Sequence, residues 1–285
     1  MEYKQLSRKL FWEGTGLHTG EHCAVCVEHN PPGGIAFRFG QKTFGISEAE
    51  ISDTQRGTSL SFPDGGVVRT VEHLLGAVTG MGLWNVIVEV NGPEIPALDG
   101  SALGFATELR DSTLPVKTDN VTPINLHFPI IVEDKKTGAF AAAVPAETFS
   151  LSYIIRYHAP VIGCQAFESD ITDDVFLREI APARTFALAS EVADLLRTGL
   201  ARGGNIENAL VLPDEGSGEQ PEFRFPDEPV RHKALDLLGD LAVLGAPLKA
   251  RVICYKGGHH LHQRFVERIR RVTAQQQVRK EKTHA

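Results

Sequence analysis

The arrangement that most restricts how this chain can fold is a block that occurs once in each half. In the first half TVEHLLGAVTGMG is followed by WNVIVEV, and in the second RHKALDLLGDLAVLG is followed by LKARVICYK. Val71, Leu74, Leu75 and Val78 have helical spacing, as do Ala234, Leu235, Leu237, Leu238 and Leu241, while the following runs read as strands. A further helix closes each half, from Ser101 to about Leu109 and again after the turn at Lys256 to Gly258. If the halves pack as pseudo-symmetric partners, the two histidine-bearing helices face each other and His73 approaches His232 and Asp236.

On the second of these helices His232, Asp236 and Asp240 are successive i, i+4 neighbours and rise along one face. An imidazole and a carboxylate one turn apart can grip a divalent metal, and a carboxylate one turn further can orient another group. The same spacing is common on solvated helix faces, so the weight falls on the rest of the chain. His73, His232 and Asp236 together have the composition of a catalytic zinc site with one open position. Glu72 is then free to act as a base, and His259, after a Gly-Gly turn, as an acid whose charge a pairing with Asp240 favours. Each has a plainer reading. Glu72 complements a helix N-terminus, Asp240 is a solvated acid, His259 lies with His260 and His262 in a surface run, Thr185 belongs to a loop, and Lys233 is a solvated lysine.

With 285 residues, two domains are expected. Linker-like Lys117 to Asn120 divides the chain into 1–118 and 119–285, with a βαβ-like insert around 186–212. A hydrophobic content of 42% and a charged content of 23% are those of a soluble globular protein, and the net charge of −7 argues against a general nucleic-acid binder. A phosphate-bearing small molecule, which needs only a few local cations, stays open. No apolar run approaches bilayer length and no signal peptide opens the chain, so a cytoplasmic protein without stable membrane insertion is expected. Cys23, Cys26, Cys164 and Cys254 show no framework spacing, and Cys23 and Cys26 lie on a strand that points them to opposite faces. Ile51 to Thr58 reads as a loop, Thr70 as the cap of the first helix and Ser190 as the cap of a helix ending near Gly199. Strands are expected near Ile124 to Glu133, Ala139 to Val144 and Phe149 to Tyr157. A flexible loop is expected over Asp214 to Gln220, and a frayed tail at the end.

TVEHLLGAVTGMGLWNVIVEVNGPEIPALDGSA, GTGLHTG, ARTF, GGNIENALV, FRFPDEPVRHKALDLLGDL and YKGGHH together resemble, in the same order and over nearly the whole chain, the zinc-dependent UDP-3-O-acyl-N-acetylglucosamine deacetylases. The resemblance implies an α+β fold of two similar domains, each a β-sheet layered with α-helices, with the active site between them. It implies hydrolysis of the N-acetyl group of UDP-3-O-((R)-3-hydroxyacyl)-N-acetylglucosamine to acetate and the free amine, the committed step of lipid A synthesis in Gram-negative bacteria. It gives His73, His232 and Asp236 as ligands to Zn2+, with Fe2+ the alternative in the cell. Glu72 becomes the base, His259 the acid, Asp240 its partner, Thr185 a contact to the oxyanion and Lys233 a contact to substrate. Tyr157 stands near the nucleotide. The segment from Phe186 to Leu212 walls an acyl passage with Leu188, Val192, Leu195 and Leu196, residues that helix core explains equally well. His18 matches a motif without an assigned role. DTQRGTSL, with Arg56, is more polar than the border of an acyl passage should be, which bears on chain length rather than chemistry. The implied partner is a small UDP-sugar lipid, and a monomer is expected. The rivals are a zinc amidohydrolase of another N-acyl substrate and a catalytically silent binding protein.

Overall fold

A computed structural model describes residues 3–63, 65–116, 121–215 and 221–284. The expected linker at 117–120 and the stretch 216–220 of the expected loop lie outside them. The first half contains β1 (Tyr3–Leu6), β2 (Leu10–Thr15), β3 (His22–His29), β4 (Ala36–Phe39), β5 (Lys42–Gly45), β6 (Glu50–Asp53), β7 (Ser59–Ser61) and β8 (Val67–Val68). Helix α1 (Glu72–Gly80), β9 (Val86–Asn91), α2 (Leu103–Asp111) and β10 (Thr113–Val116) complete it. The second half contains β11 (Ile124–Asn125), β12 (Ile130–Asp134), β13 (Ala139–Pro145), β14 (Ser150–Arg156), β15 (Cys164–Asp170) and α3 (Asp173–Val175), which runs on as a π turn over Phe176–Ile180. It continues with β16 (Phe186–Leu188), α4 (Ala189–Arg197), β17 (Leu210–Leu212), α5 (Glu228–Ala242), β18 (Leu248–Tyr255) and α6 (His259–His284).

The repeat seen in the sequence is a repeat of topology. In the first half the strands lie in the order β2-β3-β9-β4-β5, and in the second β12-β13-β18-β14-β15. Each sheet is built on two antiparallel hairpins with the last strand of the unit laid between them, antiparallel to one hairpin and parallel to the other, and in the second β11 adds a short parallel pairing to β18. The parallel pairing needs a crossover, and α1 and α5 supply it. Strands β16 and β17 pair in parallel around α4, forming a small unit at the edge of the second sheet's half.

The two crossover helices pack directly on each other. A Cβ placed on Gly239 of α5 would lie 1.9 Å from the carbonyl oxygen of Glu72 on α1, and one on Gly76 of α1 would lie 2.8 Å from Leu235 Cδ1. Side chains larger than hydrogen have no room there, so glycine lets the two backbones approach. A single hydrophobic cluster runs through both halves and includes Leu75 and Val78 of α1 with Leu235 and Leu238 of α5.

Several local expectations are corrected. Thr70 does not cap α1: its backbone has φ +54° and its hydroxyl donates to Glu94 at 2.7 Å, leaving Val71 as the N-cap residue. Ser190 lies inside α4, where Leu188 is the N-cap, its N–H held by Glu191, and the Ser190 hydroxyl bonds Asp214 instead. Of the loop expected over Ile51 to Thr58, Ile51 to Asp53 belong to β6, which pairs with β7. Strand β15 was not foreseen because it is an edge strand with Phe167 as its one buried residue, so it lacks a clear apolar period. Helix α6 runs from His259 to His284 and takes in the tail up to that residue.

Candidate active site

The α1–α5 joint brings together residues 159 positions or more apart. His73 stands in the first turn of α1, and His232 and Asp236 stand on successive turns of α5 facing it. The two imidazole rings lie 5.0 Å apart at 87°. Asp236 Oδ1 lies 3.3 Å from His232 Nε2 and 3.7 Å from His73 Nε2. His232 Nδ1 is 3.1 Å from the carbonyl of Ala183, an acceptor only, so the proton resides on Nδ1 and the Nε2 lone pair faces Asp236. Burial lowers the His232 pKa to about 3, which keeps the ring neutral and able to ligate. Burial opposes ionisation of Asp236, but His232, Lys233 and His259 outweigh it and hold the carboxyl well below its ordinary range. Lys233 Nζ donates to Asp236 Oδ2 at 2.8 Å, while Oδ1 is buried without a hydrogen-bond partner. An orphaned carboxylate oxygen beside two imidazole nitrogens fits a divalent cation, and the three donor atoms lie within 4.8 Å of one another.

Glu72, adjacent to His73, is 2% exposed and borders the same cleft. Its Oε2 accepts the Thr58 N–H at 2.9 Å. Burial raises its pKa, the direction a base working near neutral pH requires. Its carboxylate is therefore aimed at the cleft and not at its own helix terminus. His259 opens α6, with Nε2 3.8 Å from Glu72 Oε1 and Nδ1 2.9 Å from Asp240 Oδ2. Burial works against its charge, yet Asp240, Glu72 and Asp236 prevail and carry its pKa to about 9. Burial also opposes the charge of Asp240, but His259 and His262 outweigh it and bring that carboxyl down to about 2. Asp240 is fully buried, so it is not a solvated acid.

Of the neighbouring histidines, His260 is exposed as expected, but His262 is fully buried. Its Nδ1 lies 2.8 Å from the same Asp240 Oδ2, and its Nε2 2.9 Å from the Tyr153 hydroxyl. Gln263 donates to Asp240 Oδ1 at 2.9 Å. The i, i+3 and i+4 spacing of His259, His262 and Gln263 on one helix was the signal that joins them.

A cleft of about 550 Å3 opens over this cluster, with Tyr157, Thr185, Phe186 and Lys233 also on its walls. Lys233 Nζ stands 5.6 Å over the Phe186 ring, and Tyr157 packs edgewise on Phe186 at 5.9 Å. Thr185 is fixed by its N–H to the Gly100 carbonyl at 2.9 Å. The preceding Arg184 forms a partly buried pair with the buried Glu228 at the start of α5, at 2.8 Å, which ties ARTF to the helix carrying His232. Leu195 is buried inside the insert and does not border the cleft. His18 receives the Ala201 N–H at Nδ1 at 3.4 Å and sits 3.3 Å from the Arg56 carbonyl through Nε2, so it ties the glycine turn to the insert. Cys23 and Cys26 are in none of the three groups able to hold a metal among the described residues.

The profile of the family described as UDP-3-O-acyl N-acetylglycosamine deacetylase matches residues 4–271. A curated UDP-3-O-acyl-N-acetylglucosamine deacetylase from Nostoc sp. (strain PCC 7120) is 38% identical over 279 residues, 94% of this chain and 98% of its own length. The protein of the same name from Myxococcus xanthus is 38% identical over 273 residues, covering 93% of this chain and 85% of its own. That from Chlamydia felis is 37% identical over 262 residues, covering 90% and 92%. Two units of one topology, a buried metal-type donor set at their joint and these matches along almost all of the sequence place the chain in the UDP-3-O-acyl N-acetylglycosamine deacetylase family.

Proposed function

We propose that this chain uses zinc held by His73, His232 and Asp236 to hydrolyse the acetamide of UDP-3-O-((R)-3-hydroxyacyl)-N-acetylglucosamine, giving acetate and the free 2-amine. Deacetylation of a UDP-3-O-acyl-N-acetylglucosamine in lipid A biosynthesis is the activity of its family. The observation that carries the metal assignment is the buried, unpartnered Asp236 Oδ1 between two imidazole nitrogens. Bound there, zinc acts as a Lewis acid toward the carbonyl and lowers the pKa of water; iron(II) suits the same donors.

The protein groups divide the proton chemistry. Glu72 takes the proton of the attacking water. The Thr185 hydroxyl and the Lys233 ammonium, both on the cleft wall, donate to the carbonyl oxygen as it gains negative charge. Protonated His259, held by Asp240, delivers its proton to the leaving nitrogen. Tyr157 and Phe186 present aromatic faces beside Lys233 to the UDP-sugar. The acyl chain runs along the insert, where Leu196, Ile206 and Val211 are exposed large apolar side chains; Leu195 supports that wall from within. We take 1–118 and 119–285 as the two domains, with the insert at about 186–212, and a monomer as the working form because one chain supplies the whole cleft. No helix of the described residues is long and apolar enough to cross a membrane.

The deciding experiment is mass-spectrometric detection of acetyl loss from UDP-3-O-acyl-N-acetylglucosamine, with chelator and with zinc add-back. Loss that stops with chelator and returns with zinc is expected; none from folded, zinc-replete protein across several acyl lengths overturns the substrate assignment.

His259 donates only while protonated, so kcat falls as pH rises through its pKa, which lies above the ordinary 6.5 and reaches about 9 with all three carboxylates charged. Zinc on Asp236 removes part of that influence and leaves Asp240 as the main support. Asp240→Asn therefore moves the alkaline limb of the kcat–pH profile to lower pH. An unmoved limb in the variant assigns it to another group.

A further inference from the structure

Thr58 lies in the polar run DTQRGTSL, yet it is fully buried and its contacts reach both halves of the molecule. Its N–H donates to Glu72 Oε2 at 2.9 Å, and its carbonyl accepts the N–H of Val71 at 3.1 Å, one residue before α1. Its hydroxyl lies 2.5 Å from Asp240 Oδ1, 3.1 Å from Gln263 Nε2 and 3.4 Å from His259 Nδ1. A hydroxyl has one hydrogen to give. The Gln263 amide nitrogen is a donor, the His259 Nδ1–H is already committed to Asp240, and an ionised carboxylate only accepts, so the hydroxyl proton goes to Asp240.

Asp240 Oδ2 takes both His259 and His262, and Oδ1 takes Thr58 and Gln263. The twist of this carboxylate is thus set on one side by the two histidines and on the other by Thr58 and Gln263. Removing the Thr58 donor leaves Oδ1 held by Gln263 alone, which loosens the carboxylate's twist and the His259 ring with it, while the backbone bond that fixes Glu72 stays.

Resting on the deacetylase reading above, we infer that Thr58 is a positioning residue: its backbone fixes Glu72 and its hydroxyl fixes Asp240, which holds the two proton-transfer groups of the site in mutual register. The hydroxyl, not the bulk of the side chain, then governs turnover. Thr58 touches no reacting atom in this scheme, and its effect passes through Asp240 and His259.

The test compares Thr58→Val, which keeps shape and backbone N–H, with Thr58→Ser, which keeps the hydroxyl. In the zinc-loaded full chain, Thr58→Val lowers kcat roughly 10- to 100-fold with KM and zinc content unchanged, and Thr58→Ser stays within about threefold of the parent. Equal losses in both variants, or parental kcat in Thr58→Val, overturn the inference. Should Thr58→Val not fold, Thr58→Ala replaces it: recovery of kcat from Ala to Ser supports the role and absence of recovery overturns it. Proton NMR gives a reading that needs no substrate. The downfield imidazole N–H signal of the His259–Asp240 bond shifts in Thr58→Val and stays in Thr58→Ser; a signal unmoved in both overturns the inference even where the parent releases no acetate, which would be a failure of the substrate assignment alone.

Discussion

Glu72→Gln leaves the zinc bound and lowers kcat roughly 100- to 10,000-fold, the range that positioned general acid–base groups supply. The substitution keeps the size of the side chain and an oxygen that can accept the Thr58 N–H, so the loop and the first turn of α1 stay as they are. What it removes is the ability to take a proton. Burial, which raises the pKa of Glu72, makes the native carboxylate a stronger base than a solvated one. The carboxamide has no such capacity at any pH. His232→Ala is the contrasting variant: it removes one of the three proposed ligands and the anchor to the Ala183 carbonyl, so metal content and activity are expected to fall together. Elemental analysis beside steady-state kinetics separates the cases. Equal metal loss in Glu72→Gln and His232→Ala would show that Glu72 is a ligand and that its role as a base is misassigned.

How much of this site was visible in the sequence depended on the distance over which each residue is held. The α5 run needed only local rules: Pro229 near the start, apolar residues at helical spacing, and His232, Asp236 and Asp240 on one face. The repeat of helix and strand was equally local, and it foreshadowed two similar units. The sequence could not show that the last strand of each unit lies between two hairpins, because hairpin pairing and crossover pairing leave the same apolar signature. Thr70 was misread, and the burial of Thr58 within its loop was missed, for a related reason. Composition places both in a loop or cap, whereas their partners, Asp240 and Glu94, are 182 and 24 residues away. A polar side chain becomes a core residue when distant groups satisfy its hydrogen bonds, and nothing nearby in the chain announces it.

Gly239→Ala tests the joint on which the whole site depends. In a helix interior, alanine in place of glycine normally stabilises by about 1 kcal/mol. Here the new methyl would stand 1.9 Å from the carbonyl oxygen of Glu72, 2.5 Å from its carbonyl carbon and 2.6 Å from its Cα. All three are backbone atoms of the residue beside His73, so the strain cannot be relieved by turning a side chain. One helix has to move; overpacking typically costs about 1–3 kcal/mol, and with three backbone atoms inside contact distance the cost lies at the upper end of that range, above the propensity gain. The movement also separates His73 on α1 from His232 and Asp236 on α5, the three proposed ligands, whose donor atoms have to keep their mutual distances to share one ion. The expected result is therefore a lower Tm together with weaker zinc binding. Gly76→Ala is the control on the facing helix. Its methyl first meets Leu235 Cδ1 at 2.8 Å, the end of a flexible side chain, with the Leu235 carbonyl oxygen at 3.4 Å, so its loss of stability is smaller. Thermal unfolding with a competitive zinc titration measures both. If Gly239→Ala is as stable as the parent and binds zinc as tightly, the close approach of the two helices is not what sets the distance between the ligands.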